Sequence, residues 1–85
     1  MKSFEYVIND ELGIHARPAG LLAKEVKNFE SEITLIKGEK RVPAKGVMGI
    51  MTLNVKKGDT VTVEANGADE DKAIASMEEF FKNNL

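Results

Sequence analysis

Cysteine is absent from the 85-residue chain. That one absence excludes a disulfide framework, a thiolate metal site and a thiol nucleophile. Histidine occurs only once, so no second imidazole could share a bound metal ion, and no metal or cofactor is expected. Basic residues are not in excess: 12 Lys and Arg face 14 Asp and Glu, for a net charge of −2. With aromatics at 6% as well, nucleic-acid binding is a poor reading. Long apolar runs are missing. The longest mostly apolar stretch, Val47 to Val55, is far too short to span a bilayer. Met1 to Asp10 lacks the basic-then-apolar pattern of a secretion signal, so a cytoplasmic location is expected. No repeat, low-complexity tract or linker divides the chain, and a single domain over 1–85 is expected.

What the chain does hold fits a small two-layer core. Hydrophobic residues reach 42% and charged residues 31%. A domain of this size buries roughly 60–65% of the surface its unfolded chain would expose. Phe4, Tyr6 and Ile8 alternate over Ser3 to Ile8 and predict a strand. Pro18 suits the first turn of a helix, and Ala19, Leu22, Ala23, Val26 and Phe29 follow helical spacing, predicting a helix over Ala16 to Asn28. Strands are predicted over Glu32 to Ile36 and Lys40 to Val42, the latter ended by Pro43. A short helix over Gly46 to Leu53 and a strand over Thr60 to Ala65 follow. Asp69 is placed to cap a last helix whose buried stripe is Ala73, Ile74, Met77 and Phe80 or Phe81. The order βαββαβα predicts an α+β sandwich with helices on one sheet face and the other face open.

His15 lies between a strand and a helix start, in Gly13-Ile14-His15-Ala16-Arg17-Pro18. The first turn of a helix leaves N–H groups unpaired and presents the positive end of its dipole, which together suit an anion. Arg17 adds a permanent cation two residues away. Imidazole is a neutral nucleophile near physiological pH, so a phosphoryl group could be accepted, held by Ala16, Arg17 and Pro18 at the helix N-terminus, and handed on. A lone histidine in an arbitrary domain is more often a surface or helix-capping residue. A serine triad finds no support, because nothing places Ser3, Ser31 or Ser76 beside His15.

The segment from Gly13 to Ala19 resembles the active-site signature of the HPr family, the histidine-containing phosphocarriers of the bacterial sugar phosphotransferase system. Phe29 to Ile33, Lys45 to Met51 and Ala65 to Glu70 resemble further segments of that family, so the likeness covers essentially the whole chain. The resemblance implies an open-faced β-sandwich, a four-stranded antiparallel sheet in the order 1-4-2-3 with three helices on one face. It also implies phosphorylation of His15 at Nδ1 by enzyme I, whose phosphoryl group comes from phosphoenolpyruvate. IIA domains of sugar permeases would be the acceptors, and Arg17 would bind the phosphoryl group. The carrier would be chemically altered by each transfer and so is not an enzyme; a monomer is expected.

So many large apolar residues on the short helix cannot all face one small core. Ile50 and Leu53 are read as core, and Val47, Met48 and Met51 as surface. The family docks both partners there, together with residues such as Leu21 of the first helix. Lys24, Lys27 and Lys45 either ring that surface with positive charge or are simply solvated. A regulatory relative, in a nitrogen-type phosphorelay or as a transcriptional co-effector, is the alternative reading. Two positions depart from the family pattern. Leu12 stands where many members have a polar residue, and Gly46 stands where Gram-positive members carry a regulatory serine. The nearest hydroxyl on that helix, Thr52, lies six residues on, roughly 9 Å along a helical rise of about 1.5 Å per residue. Incubation with ATP and an HPr kinase should therefore leave the chain's mass unchanged, and a phosphate anywhere on it would overturn this expectation.

Overall fold

The computed structural model describes residues 1–85. Strand β1 (Lys2–Val7) is followed by helix α1 (Ala16–Val26), strands β2 (Glu32–Lys37) and β3 (Lys40–Pro43), helix α2 (Val47–Thr52), strand β4 (Thr60–Asn66) and helix α3 (Glu70–Asn84). All strand pairs are antiparallel, and the sheet order is β1-β4-β2-β3, as the resemblance implied. No helix is long and apolar enough to cross a membrane.

Alternation along the strands sends one set of side chains under the helices. Ile33, Leu35, Val42, Val61, Val63 and Ala65 are buried, while Glu5, Glu32 and Arg41 are exposed. The helical layer answers with Leu22, Ile50, Met77 and Phe81, each almost fully buried in a single core. Phe81 is the hub. Phe4, Tyr6 and Phe80 meet its ring edge-on at centroid distances of 5.8, 5.5 and 6.2 Å. Such pairs add about 0.5–1.5 kcal/mol each beyond the area they bury. Of the expected α3 stripe, Ala73, Met77 and Phe81 are buried, and Ile74 and Phe80 pack at its margin.

Strands β1, β2 and β4 and helix α2 differ from their expected bounds by one residue at one or both ends, and three further expectations need correction. Helix α1 stops at Val26 rather than Asn28, because Lys27, Asn28 and Phe29 donate to carbonyls three residues back and tighten the last turn. Pro43 is the last residue of β3, opposite Thr34, rather than a residue beyond it. On an edge strand its missing N–H costs nothing. Asp69 does occupy the N-cap position of α3, yet its side chain makes no capping hydrogen bond. Its carboxylate instead accepts from the N–H groups of Glu30 and Ser31, both at 2.9 Å, and from the Ser31 hydroxyl. Glu70 takes over the local role, accepting from the Gly67 N–H at 3.2 Å.

Helix α2 is held from outside. It carries no charged residue and no side-chain cap. Asn54 follows it in a left-handed conformation, φ 53°. From the β2–β3 hairpin, Lys40 Nζ donates to the Thr52 carbonyl at 2.6 Å and Lys37 Nζ to the Asn54 carbonyl at 2.8 Å. Cations at a helix C-terminus are each worth about 0.3–1 kcal/mol. Lys37 also pairs with Asp59 at 2.9 Å.

These contacts predict acid sensitivity. The Ser31 hydroxyl and then the Glu30 N–H hold the Asp69 carboxyl below the ordinary aspartate range. Lys37 first, then the Lys56 N–H, does the same for Asp59. A carboxyl whose folded pKa lies below its unfolded value stabilises fully above that unfolded value, and the contribution fades as pH falls through the folded pKa. Asp69→Asn should therefore be less stable than the parent at neutral pH. In urea titrations the gap should close below about pH 4, where an ordinary aspartate is half protonated.

Candidate functional site

The approach to His15 begins with a tight turn. The Gly13 N–H donates to the Asp10 carbonyl at 2.9 Å, and the Leu12 N–H to Asp10 Oδ1 at 2.8 Å. Gly13 has φ 66°, and a Cβ there would lie 2.1 Å from the Val55 carbonyl oxygen. Glycine is required both for the backbone angle and for the approach. The next residue, Ile14, donates its N–H to that same carbonyl at 3.2 Å and buries its side chain. From the other side, the Asn9 and Asp10 N–H groups donate to the Leu85 carbonyl at 2.6 and 2.8 Å, which ties the loop to the end of α3.

His15 then takes an extended backbone, φ −95° and ψ −176°, at the N-cap position of α1. Its carbonyl accepts the Ala19 N–H at 3.0 Å, so the helix starts at once. The imidazole makes no capping hydrogen bond, which removes the helix-capping reading. The Ala16 and Arg17 N–H groups have no hydrogen-bond partner, as the first turn of a helix requires, and Pro18 has none to offer.

The ring opens onto a cleft of about 260 Å³ lined by Asp10, His15, Arg17, Pro18, Leu21, Asn83 and Asn84. His15's side chain is 34% exposed, and its Nε2 lies 4.0 Å from Asp10 Oδ1. Arg17 is exposed and forms neither an ion pair nor a side-chain hydrogen bond. The cleft therefore gathers one imidazole, the Asp10 carboxylate and one unpaired guanidinium at the N-terminal end of an eleven-residue helix whose first two N–H groups are free. That set can bind and release a compact anion bonded to the ring. No group of three His, Cys, Asp or Glu side chains is arranged to hold a metal ion. The serines are elsewhere: Ser31 is bonded to Asp69, Ser76 lies 3.4 Å from Glu25, and Ser3 is on β1.

Met48 is 79% exposed, Met51 41% and Leu21 45%, whereas Ile50 and Leu53 are buried. The division of the short helix into core and surface holds, with Val47 half-buried between them. Lys24, Lys27 and Lys45 are exposed. Lys27 and Lys45 line a second cavity of about 410 Å³, separate from the His15 cleft. Gly46 is the N-cap of α2 and, lacking a side chain, caps nothing.

Asp10, Asn83 and Asn84 were not among the expected site residues. Asp10 reads in the sequence as part of a strand-breaking turn, and its spacing to Leu12 was the available signal for a side chain folded back onto the loop. Nothing local marks Asn83 and Asn84, which only the packing of α3 brings to the cleft.

Comparison with known proteins finds relatives over nearly the whole chain. A family model described as PTS HPr component phosphorylation site matches residues 2–83. The chain is 42% identical to the phosphocarrier protein HPr of Mycoplasma capricolum over 79 residues, 93% of this chain and 89% of that one. A solved mycoplasma histidine-containing phosphocarrier protein superposes with a TM-score of 0.93 at 39% identity, covering 96% of this chain and 93% of that one. HPr from Thermoanaerobacter tengcongensis gives 0.92 at 38% identity, over 98% and 93%.

Gly13 generates a prediction of its own. Gly13→Ala combines a left-handed backbone, about 1–2 kcal/mol for an L-residue, with a collision against the Val55 carbonyl. Denaturant titration should show a loss above about 2 kcal/mol. Amide shifts at Ile14 and His15 should move with it.

Proposed function

The chain belongs to the HPr family, the phosphocarrier proteins of the phosphotransferase system, and on that premise we propose that His15 carries the phosphoryl group. It is a carrier rather than an enzyme. The observation that supports His15 is its place at the N-cap of α1, half-buried in a cleft with Arg17 and beside the two free N–H groups of the helix start. In this reading the Nδ1 electron pair attacks phosphorus on enzyme I, which was charged from phosphoenolpyruvate. The bond from phosphorus to the donor breaks, and the P–N bond forms. The phosphoryl oxygens are then held by the Ala16 and Arg17 N–H groups and by the Arg17 guanidinium, the only charged group of α1's first turn. The reverse of the same step passes the group to a IIA domain of a sugar permease in the cytoplasm.

The docking surface in this reading is Leu21, Val47, Met48 and Met51, edged by Lys24, Lys27 and Lys45. Methionine suits a surface that must fit more than one partner. The regulatory-paralogue reading gains nothing from the site, because His15 and Arg17 are both present and free.

Incubation with enzyme I and phosphoenolpyruvate should yield one phosphate, lost in mild acid, stable in base and absent from His15→Ala. An acid-stable adduct would sink the assignment. Arg17→Ala should slow transfer by about two to three orders of magnitude, as loss of a preorganised charge partner costs roughly 2–4 kcal/mol of barrier. Its unfolding midpoint should stay near the parent's, since Arg17 makes no contact that the fold uses.

A further inference from the structure

We propose that Asp10 is a positioning residue for the transfer: its carboxylate keeps the His15 ring proton on Nε2, which directs the phosphoryl group to Nδ1 and keeps the P–N bond labile. The inference rests on the reading of His15 as the phosphoryl-carrying residue.

Asp10 Oδ1 is doubly placed. It accepts the Leu12 N–H at 2.8 Å and stands 4.0 Å from His15 Nε2. The first contact fixes the carboxylate, so the second is a built feature of the turn rather than one rotamer among many. Leu12 contributes its backbone here, while its side chain is exposed. The polar and charged groups that line the cleft with the ring are Asp10 from the loop, Arg17 from α1, and the neutral Asn83 and Asn84 from α3. Two charges thus share the cleft, one anionic near Nε2 and one cationic near the helix start.

An anion near Nε2 favours a proton on that nitrogen. It also repels a phosphoryl dianion from that nitrogen, and the free N–H groups at the start of α1 favour a dianion beside the helix end. The chemistry of release then follows. When an acceptor nucleophile attacks phosphorus, the P–N bond breaks and its electron pair returns to Nδ1. If Nε2 still bears its proton, the ring departs as neutral imidazole. If Nε2 has lost it, the ring must depart as imidazolate, a much poorer leaving group. Asp10 therefore favours departure of the ring as neutral imidazole.

The test uses the intact chain phosphorylated with phosphoramidate, a small donor that needs no partner protein, in the parent, Asp10→Asn and Asp10→Ala. Asparagine keeps an oxygen for the Leu12 N–H and removes only the charge. Phosphohistidine in Asp10→Asn should hydrolyse about 3- to 10-fold more slowly at neutral pH, with its pH profile moved to lower pH by about half to one unit, as loss of a nearby opposite charge implies. Coupling between ¹⁵N and ³¹P should show a larger share of Nε2 adduct than in the parent. An unchanged pH profile and an unchanged adduct ratio in Asp10→Asn would overturn the proposal. So would a defect confined to Asp10→Ala, since that would reduce Asp10 to a turn former. Failure of enzyme I to phosphorylate the parent would count against the carrier assignment of His15, and the phosphoramidate arm would still decide the role of Asp10.

Discussion

Two loops touch at the Val55 carbonyl, and the site is organised around that contact. Gly13 lies against the oxygen closely enough that no side chain fits, and Ile14 donates to it. Ile14 and Val55 are themselves buried, so the contact is continuous with the core. One residue later the chain is extended, and one residue after that it is helical. The imidazole is therefore presented by backbone constraints on both sides, and its own side chain needs no hydrogen bond to stay at the helix start. A group that must bond covalently to a ligand is best left free of structural duties, and here the preceding glycine carries them.

A second theme is the repeated use of aspartate just outside regular structure. Asp69 binds the Glu30 and Ser31 N–H groups, Asp59 binds the Lys56 N–H, and Asp10 binds the Leu12 N–H. Each fixes a loop that the sheet and helices cannot reach with their own ladders. Asp69 joins segments far apart in sequence, whereas Asp59 and Asp10 close short turns. All are partly solvated, so each contributes modestly, and their combined effect is to leave few ways for the connections to move.

Much of this was legible in the residues. Period-two alternation in Ile33-Leu35 and Val61-Val63-Ala65, and helical spacing in Ala19-Leu22-Ala23-Val26, gave the elements and their buried faces, because both are local consequences of backbone geometry. The lone histidine beside Arg17 and Pro18 pointed to the candidate cleft, whose lining includes all three. What local pattern could not show was partnership. Asp69 looked like the cap of its own helix, yet its carboxylate is occupied by a loop 38 residues away in sequence. Asp10 looked like a strand breaker, and Asn83 and Asn84 like an ordinary polar helix end. Their positions at the cleft depend on where α3 and the first loop meet, which is a property of the whole core.

The lysine clamp on α2 has a consequence for variation. The helix is only six residues long; Lys40 of the neighbouring hairpin holds its last carbonyl and Lys37 holds that of Asn54 just beyond it, while Ile50 and Leu53 anchor it below. Met48 and Met51 are left with no part in holding the helix in place. Its outward side chains can be exchanged, one at a time, without unravelling the turn that displays them. Part of the support thus lies in the β2–β3 hairpin, away from the displayed side chains, so the outward face can vary while the hairpin clamp stays unchanged.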